Sequence, residues 1–346
     1  MTKEIKIGNV KIGGGNKIAI QSMTNTETSN VEATVKQIKD LEKAGCDIVR
    51  ASVNTVEAAK AFKEITKNIS IPLVADVHFD HRLAIMAVEN GASKLRINPG
   101  NISSDAVKTL VACVKEHNIP VRIGVNGGSL SPKVRERFGE NSPEALVASA
   151  IENIQIFEDA SFYDIAVSVK SSNVKKMVAA YRLLSKQCDY PLHLGVTEAG
   201  TIDTAIVKSS IGIGSLLLDN IGDTIRVSIT GDPVQEVYAA QNILRALGLF
   251  KKGVEIISCP TCARTQIPLE EIVNRVKAET KNVEKPIKAA IMGCVVNGPG
   301  EAKAADIGIA GGGTGEKAVV FKKGEKLATG ELEIMIRLLI EELHKM

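Results

Sequence analysis

The chain has 346 residues, 44% of them hydrophobic and 24% charged, with a formal net charge of +3 at neutral pH. That length buries a large core and suits two domains, and the composition is that of an ordinary globular protein. So small a net charge does not by itself imply a nucleic-acid partner, and aromatic residues at 3% without a single Trp argue against a stacking platform for single strands. The opening MTKEIKIGNVKIGGG has no apolar export segment and no apolar run reaches membrane-spanning length, so a cytoplasmic address is expected.

Between about residues 15 and 250, β-rich runs alternate with helical segments. The strand candidates begin at Lys17, Cys46, Pro72, Ser93, Pro120, Asp164, Pro191 and Asp223. Several have continuous Val/Ile/Leu centres, as parallel strands covered on both faces do. The intervening NVEATVKQIKDLEKAG and DPVQEVYAAQNILRALG are amphipathic at helical spacing. Eight β-then-α units predict an α/β fold of the TIM (β/α)8 barrel type. An open doubly wound sheet also alternates, but eight units suit closure and no G-x-G-x-x-G follows the first strand.

The pattern changes at Lys251-Lys252-Gly253. A strand VEIIS, a helix PLEEIVNRVKAETK, a strand IKAAIMG, a hairpin AVVFKKGEKLATG and a closing helix from Glu331 predict a small α+β domain. The expected division is 1–252 and 253–346.

Arg50, Arg96, Arg122, Lys170 and Arg226 each stand at the end of a strand candidate among apolar residues. Carboxyl ends of barrel strands supply catalytic groups, and cations converging there without matching acids would be costly unless an anion were bound. Arginine's planar fork suits phosphate, and the glycine-rich NPGN (98–101) and GVNGG (124–128) offer backbone donors, so a small multiply anionic ligand such as a diphosphate is implied. The competing reading pairs some of these cations with barrel acids such as Asp76. Glu198, in GVTEAG, reads either as a general acid/base or as the partner of a cation. His78 reads either as a donor beside the site or as a structural histidine. The remaining histidines, His193 among them, form no recognisable constellation.

Cys259-Pro260-Thr261-Cys262 and Cys294 put a C-x-x-C pair about thirty residues before a third thiol, and Glu301 follows across a Gly-Pro-Gly turn. Thiolates bind soft metals. Structural zinc usually closes with a fourth Cys or His, and no His lies in this stretch, so the spacing favours an iron–sulfur site while leaving zinc open. Cys46, Cys113 and Cys188 are isolated and read as buried small hydrophobes.

The motifs IQSMTNT (20–26), RASV (50–53), ADVHF (75–79), LRINPGN (95–101), RIGVN (122–126), SVKSS (168–172), HLGVTEAG (193–200), IGDTIRVS (221–228), SCPTC (258–262) and GCVVNGPGEA (293–302) span nearly the whole chain. Through them the sequence resembles the 4-hydroxy-3-methylbut-2-en-1-yl diphosphate synthase family of the methylerythritol phosphate route. The resemblance implies a TIM barrel carrying an iron–sulfur domain like those of sulfite and nitrite reductases. It implies an iron–sulfur oxidoreductase that opens 2-C-methyl-D-erythritol 2,4-cyclodiphosphate and expels a hydroxyl as water, with electrons delivered singly from flavodoxin or ferredoxin. By motif, Cys259, Cys262, Cys294 and Glu301 would ligate a [4Fe–4S] cluster. Arg50, His78, Arg96, Arg122, Asn126, Lys170, Arg226 and Ser228 would hold the substrate, and Glu198 would be the acid/base. The resemblance further implies a homodimer whose active sites are shared between chains. Ala263 and Gln266-Ile267-Pro268 depart from the common pattern, and the middle domain of plant-type relatives is absent. A non-catalytic iron–sulfur sensor and a phosphate-binding barrel with structural zinc are the other classes considered.

Overall fold

The computed structural model describes residues 1–78, 80–98, 104–139, 142–294, 296, 304–313 and 315–346. It divides into two compact units, Met1–Leu249 and Phe250–Met346.

The first unit opens with a short antiparallel hairpin, Ile5–Ile7 (β1) and Val10–Ile12 (β2). Its connection is Gly8-Asn9, and Gly8 takes a φ of 55° that a side chain would resist. Ile5, Ile7 and Ile12 are buried against Ala19, Ile48, Val74 and Ala166. These are residues at the starts of barrel strands, so the hairpin stops the barrel's N-terminal end with apolar side chains. The sequence did not announce it.

The eight strands expected from the sequence are all present. They are Ala19–Met23 (β3), Ile48–Ser52 (β4), Leu73–Asp76 (β5), Lys94–Ile97 (β6), Val121–Asn126 (β7), Ile165–Lys170 (β8), His193–Leu194 (β9) and Thr224–Ile225 (β10). The sheet runs β8-β7-β6-β5-β4-β3-β10-β9, with every pairing parallel. A parallel bridge from Val167 to Leu192 joins the two edges and closes the barrel. The helices around it are Val31–Lys43 (α1), Val56–Lys67 (α2), His81–Glu89 (α3), Ser104–Glu116 (α4), Pro132–Phe138 (α5), Pro143–Asp159 (α6), Val174–Leu184 (α7), Ile202–Leu218 (α8) and Pro233–Ala246 (α9). Asn30, Thr55, Asp80, Ser142, Asn173 and Asp232 cap their helices by accepting a first-turn N–H. Except at α6, which follows α5, such caps start each helix directly after the loop that follows a strand, and those loops form the barrel's C-terminal face.

The second unit is a five-stranded sheet: Val254–Ser258 (β11), Ile287–Met292 (β12), Ile307–Gly311 (β13), Lys317–Lys322 (β14) and Glu325–Glu331 (β15). The first three strands are parallel and the last two complete it antiparallel. Helices Leu269–Glu279 (α10) and Leu332–Lys345 (α11) bury Leu269, Ile272, Val276, Leu339 and Leu343 against Ile287, Ile291, Ile307 and Ile309. β13 is an addition to the elements read from the sequence. Its Gly308 sits where a Cβ would approach the Ala290 carbonyl oxygen to 2.8 Å. Among the described residues no helix is long and apolar enough to cross a membrane.

If the hairpin is the barrel's stopper, Ile7→Ala should destabilise the first unit by about 2–5 kcal/mol, the cost of a large-to-small change at a fully buried site. A denaturant titration followed by circular dichroism measures this, and an unchanged midpoint would refute the stopper role.

Candidate active site

The interior of this barrel is polar where such barrels are usually aliphatic. Above the stopper, Gln21, Lys94, Arg122, Ser168, His193 and Thr224 are all buried to within 2% exposure. Lys94 is wholly buried, and its Nζ has one long contact, 3.4 Å to Gln21 Oε1. His193 Nδ1 lies 2.7 Å from Thr224 Oγ1, while its Nε2 has no partner. Burial, then the nearby cations Arg122 and Arg50, pushes the Lys94 amine well below its ordinary value. Burial with Arg122 and Lys170 does the same to His193. Neither residue stood out in the sequence, since Lys94 reads as a strand-start lysine and His193 as an isolated ring.

Of the cations expected at strand ends, Lys170 closes β8 and Arg226 directly follows β10, but Arg50 and Arg96 lie inside β4 and β6, and Arg122 is the second residue of β7; register sets several of them side by side. Asp76 opposes Arg96 across β5 and β6, Arg96 opposes Arg122 across β6 and β7, and Asn126 opposes Lys170 across β7 and β8. Like charges directly opposite are unfavourable unless something lies between or above them. Asp76 answers part of the charge. Its Oδ1 accepts from Arg96 NH1 at 3.0 Å, and its Oδ2 is 3.4 Å from Arg50 Nε. His78, directly after β5, lies with Nε2 2.9 Å from Arg96 NH1 and 3.6 Å from Asp76. Burial pushes the Asp76 carboxyl up, yet Arg50, His78 and Arg96 outweigh it and hold the group well below the carboxylate range. Arg50 also rests its guanidinium on Met23 Sδ at 2.8 and 3.2 Å. Burial lowers its pKa to about 10 against the opposing pull of Asp76.

Pairing with barrel acids therefore accounts for Arg50 and Arg96, and Glu236 pairs with Arg226 at 3.0 Å. It does not account for Arg122 or Lys170. Arg122 is 1% exposed, with Nε and NH1 unpartnered. Lys170 forms no ion pair among the described residues. Burial, and then Arg122 and Arg226, lowers its amine well below the usual lysine value. A cation as enclosed as Arg122, or half-buried like Lys170, without an acid is stable only if neutralised, hydrated or bound to an anion. The backbone makes room for these side chains at two glycines. A Cβ on Gly124 would stand 2.8 Å from Arg96 Nε, and one on Gly195 would stand 2.9 Å from Lys170 Nζ and 2.7 Å from the Arg226 carbonyl oxygen. At Gly124 a side chain would have to displace the end of Arg96, and at Gly195 it would also meet the fixed backbone of Arg226.

Glu198 lies in the loop after β9, exposed and without an ion pair among the described residues. Its φ of 51° places a non-glycine residue in the left-handed region, a strained conformation that recurs at functional sites. Thr230 N–H donates to the Gly200 carbonyl at 3.0 Å, tying this loop to the one that carries Arg226 and the part-buried Ser228. Residues 99–101 of the NPGN stretch lie outside the described residues. Asn98, just before them, is buried with an unpartnered Oδ1. A groove of about 560 Å³ at the opposite, N-terminal end is lined by Lys6, His117 and Asp164 and lacks the convergent cations.

In the second unit, Cys259 follows β11 and Cys294 follows β12, and these strands are parallel neighbours, so both thiols leave the same sheet edge. Gly293 N–H donates to Cys259 Sγ at 3.3 Å, Gln266 N–H to the Gly293 carbonyl at 2.9 Å, and Cys262 N–H to Thr265 Oγ1 at 3.1 Å. A Cβ on Gly293 would stand 2.9 Å from the Thr265 methyl, so the C-x-x-C loop lies tightly against the strand end bearing Cys294. The Arg264 backbone N–H and side chain lower the Cys262 thiol, favouring the metal-binding thiolate. All three thiols are free. Among the described residues no three His, Cys, Asp or Glu side chains are already gathered closely enough to hold a metal ion. Glu301 lies outside the described residues. The donor chemistry and the shared edge suit an iron–sulfur group. Of the isolated cysteines Cys46 is buried, its thiol pushed up to about 12 by burial, but Cys113 and Cys188 are only half-buried, contrary to expectation.

The chain matches the family models described as the GcpE TIM-barrel domain over residues 2–241 and the GcpE protein C-terminal domain over 255–345. It is 56% identical to a protein of Caldanaerobacter subterraneus named 4-hydroxy-3-methylbut-2-en-1-yl diphosphate synthase (flavodoxin), over 100% of this chain and 97% of that one. Proteins of the same name from Clostridium perfringens and Fusobacterium nucleatum are 54% and 56% identical, over 98% and 100% of this chain and 97% and 96% of theirs. Among solved structures, dihydropteroate synthase from Stenotrophomonas maltophilia superposes with a TM-score of 0.53 at 13% identity, covering 71% of this chain and 98% of that one. Sialic acid synthetase from Leptospira borgpetersenii does so with 0.51 at 16%, over 80% and 97%. These two likenesses bear on the fold alone.

The clearance at Gly195 is testable. Gly195→Ala should displace Lys170 and press on the Arg226 carbonyl, seen as affinity for an anionic ligand reduced about tenfold or more in a chain whose circular dichroism still reports the folded barrel. Wild-type affinity would show that the close approach is not needed.

Proposed function

The chain belongs to the GcpE family, and from that premise we propose that it converts 2-C-methyl-D-erythritol 2,4-cyclodiphosphate to 4-hydroxy-3-methylbut-2-en-1-yl diphosphate. The observation that carries the proposal is that Arg122 and Lys170 form no ion pair among the described residues, inside a barrel whose Arg50, Arg96 and Arg226 are braced by Asp76 and Glu236. In this reaction two electrons and two protons enter, the ring C–O bond to the diphosphate breaks, and the hydroxyl leaves as water.

The cations do two things. Arg50, Arg96, Arg122, Lys170 and Arg226, with Asn126 and Ser228, bind the cyclic diphosphate and orient its ring. As the ring C–O bond breaks, negative charge grows on the departing diphosphate oxygen. The same cations are fixed in place beforehand, so they stabilise that charge without reorganising. Asp76 keeps Arg50 and Arg96 pointed at the mouth, and His78 sits where it can donate to a phosphate oxygen. Glu198, on a strained loop beside Arg226, carries a proton to the leaving hydroxyl, which departs as water only once protonated.

Cys259, Cys262 and Cys294, with Glu301 as fourth ligand, would hold a [4Fe–4S] cluster, which when bound supplies single electrons and Lewis acidity. The proposal takes flavodoxin as the electron donor, on the names of the relatives. It also includes a homodimer, which rests on the motif resemblance, and a cytoplasmic location. The barrel and cluster domains are proposed to divide near residue 252.

Protein purified without oxygen should be brown and carry about four irons per chain. With an artificial one-electron reductant, Arg226→Ala should raise KM by one to two orders of magnitude with a smaller change in kcat. Glu198→Gln should keep its iron and visible spectrum but lose on the order of a hundredfold or more in kcat. A colourless, zinc-loaded protein with full turnover would contradict the proposal, as would normal turnover by Glu198→Gln for the acid/base role.

A further inference from the structure

Glu236 sits in the first turn of α9, in a stretch, DPVQEVYAA, that reads as the solvated face of a helix. Instead it is 3% exposed. Four donors converge on its carboxylate. Arg226 gives Nε at 3.2 Å to Oε2 and NH2 at 3.0 Å to Oε1. Ile229 gives its backbone N–H at 3.1 Å to Oε1, and Ser22 its hydroxyl at 2.8 Å to Oε2. A single carboxylate thus joins β3, α9 and the chain that leaves β10. A buried carboxylate is tolerated when it is paired and fully hydrogen-bonded, as here, and the helix N-terminus adds a favourable field.

The geometry of the grip matters more than its charge. The Nε/NH2 edge of the Arg226 fork is spent on Glu236, which fixes the guanidinium plane and leaves NH1 and the outer NH2 proton for a ligand. The bond to Ile229 N–H pins the peptide just after Ser228, so the same carboxylate also sets the direction of that hydroxyl-bearing segment. Ser22 precedes Met23, whose sulfur supports Arg50, so the third contact reaches a second cation of the mouth.

We propose that Glu236 is a positioning residue for the anion site: it aims Arg226 and the Ser228 segment at the bound diphosphate without touching it. This rests on the reading that Arg226 holds the substrate. The competing role, pure charge balance, makes the opposite forecast. Removing a negative charge beside the site would strengthen anion binding, whereas losing the grip would weaken it.

The test uses the iron-loaded full chain, the cyclic diphosphate and an artificial one-electron reductant, with Glu236→Gln, Glu236→Asp, Arg226→Ala and the Glu236→Gln/Arg226→Ala double variant. Positioning predicts that Glu236→Gln raises KM about tenfold with a smaller change in kcat. It predicts that Glu236→Asp, which keeps the charge but shortens the reach, also raises KM. It predicts that the double variant is no worse than Arg226→Ala alone, since both act through one group. Glu236→Asp keeps both oxygens for the buried donors and so preserves a readout if the glutamine variant folds poorly. An unchanged or lowered KM in Glu236→Gln, or a wild-type KM in Glu236→Asp, with Arg226→Ala still impaired, overturns the inference while sparing the role of Arg226. If Arg226→Ala itself binds normally, the reading of Arg226 fails and this inference falls with it.

Discussion

A surplus of positive charge, buried or half-buried inside the barrel, sets the terms for the rest of the first unit. Arg50, Lys94, Arg96, Arg122, Lys170 and Arg226 point inward, and only Asp76 and Glu236 answer them among the described ion pairs. Two like charges 8 Å apart at an effective dielectric of 20 repel by roughly 2 kcal/mol. Several such terms amount to a large share of the marginal stability of a folded protein. The fold bears this by closing the far end of the barrel with Ile5, Ile7 and Ile12 and by packing both faces of the strands. The acids it supplies are placed to aim three of the arginines. Gly124 and Gly195 clear the space in which Arg96 and Lys170 lie.

The surplus also has a direction in pH. Lys94, Lys170 and His193 are all pushed down in the folded chain, so the unfolded chain binds more protons below their ordinary values. Stability of the anion-free protein therefore falls as pH drops through the window below those values, 10.5 for the lysines and 6.5 for the histidine. On the proposed reading, a bound polyanion would oppose this shift and favour the protonated amines. Ligand binding and protonation would then be coupled through the barrel's polar interior.

Much of this was legible in the chain. Continuous runs such as IVRAS and LVAD marked parallel strands because both of their faces are buried, and their number fixed closure. The cations showed because arginine at the end of an apolar strand is costly without a purpose. The thiols showed through spacing. What stayed hidden depended on three-dimensional register. The three-residue strands of the N-terminal hairpin are too short for a pattern, and β13 is broken up by glycines that a neighbouring carbonyl requires. Glu236 sits at a helical position indistinguishable from a surface carboxylate, and Lys94 at one indistinguishable from a strand-edge lysine. The left-handed backbone of Glu198 has no sequence signature, since glutamate rarely adopts it.

The most direct test of the account is the proton balance of binding. Titration calorimetry of the iron-loaded protein with the cyclic diphosphate, at a series of pH values and in buffers of different ionisation enthalpy, measures protons exchanged per ligand bound. The Lys94 and Lys170 amines are pushed down by burial first and by neighbouring cations second, and an arriving anion opposes that shift, so the account predicts net proton uptake on binding, reduced in Lys94→Met. Binding with no uptake in any buffer, or with proton release, would contradict the claim that unsatisfied buried cations are what the ligand completes.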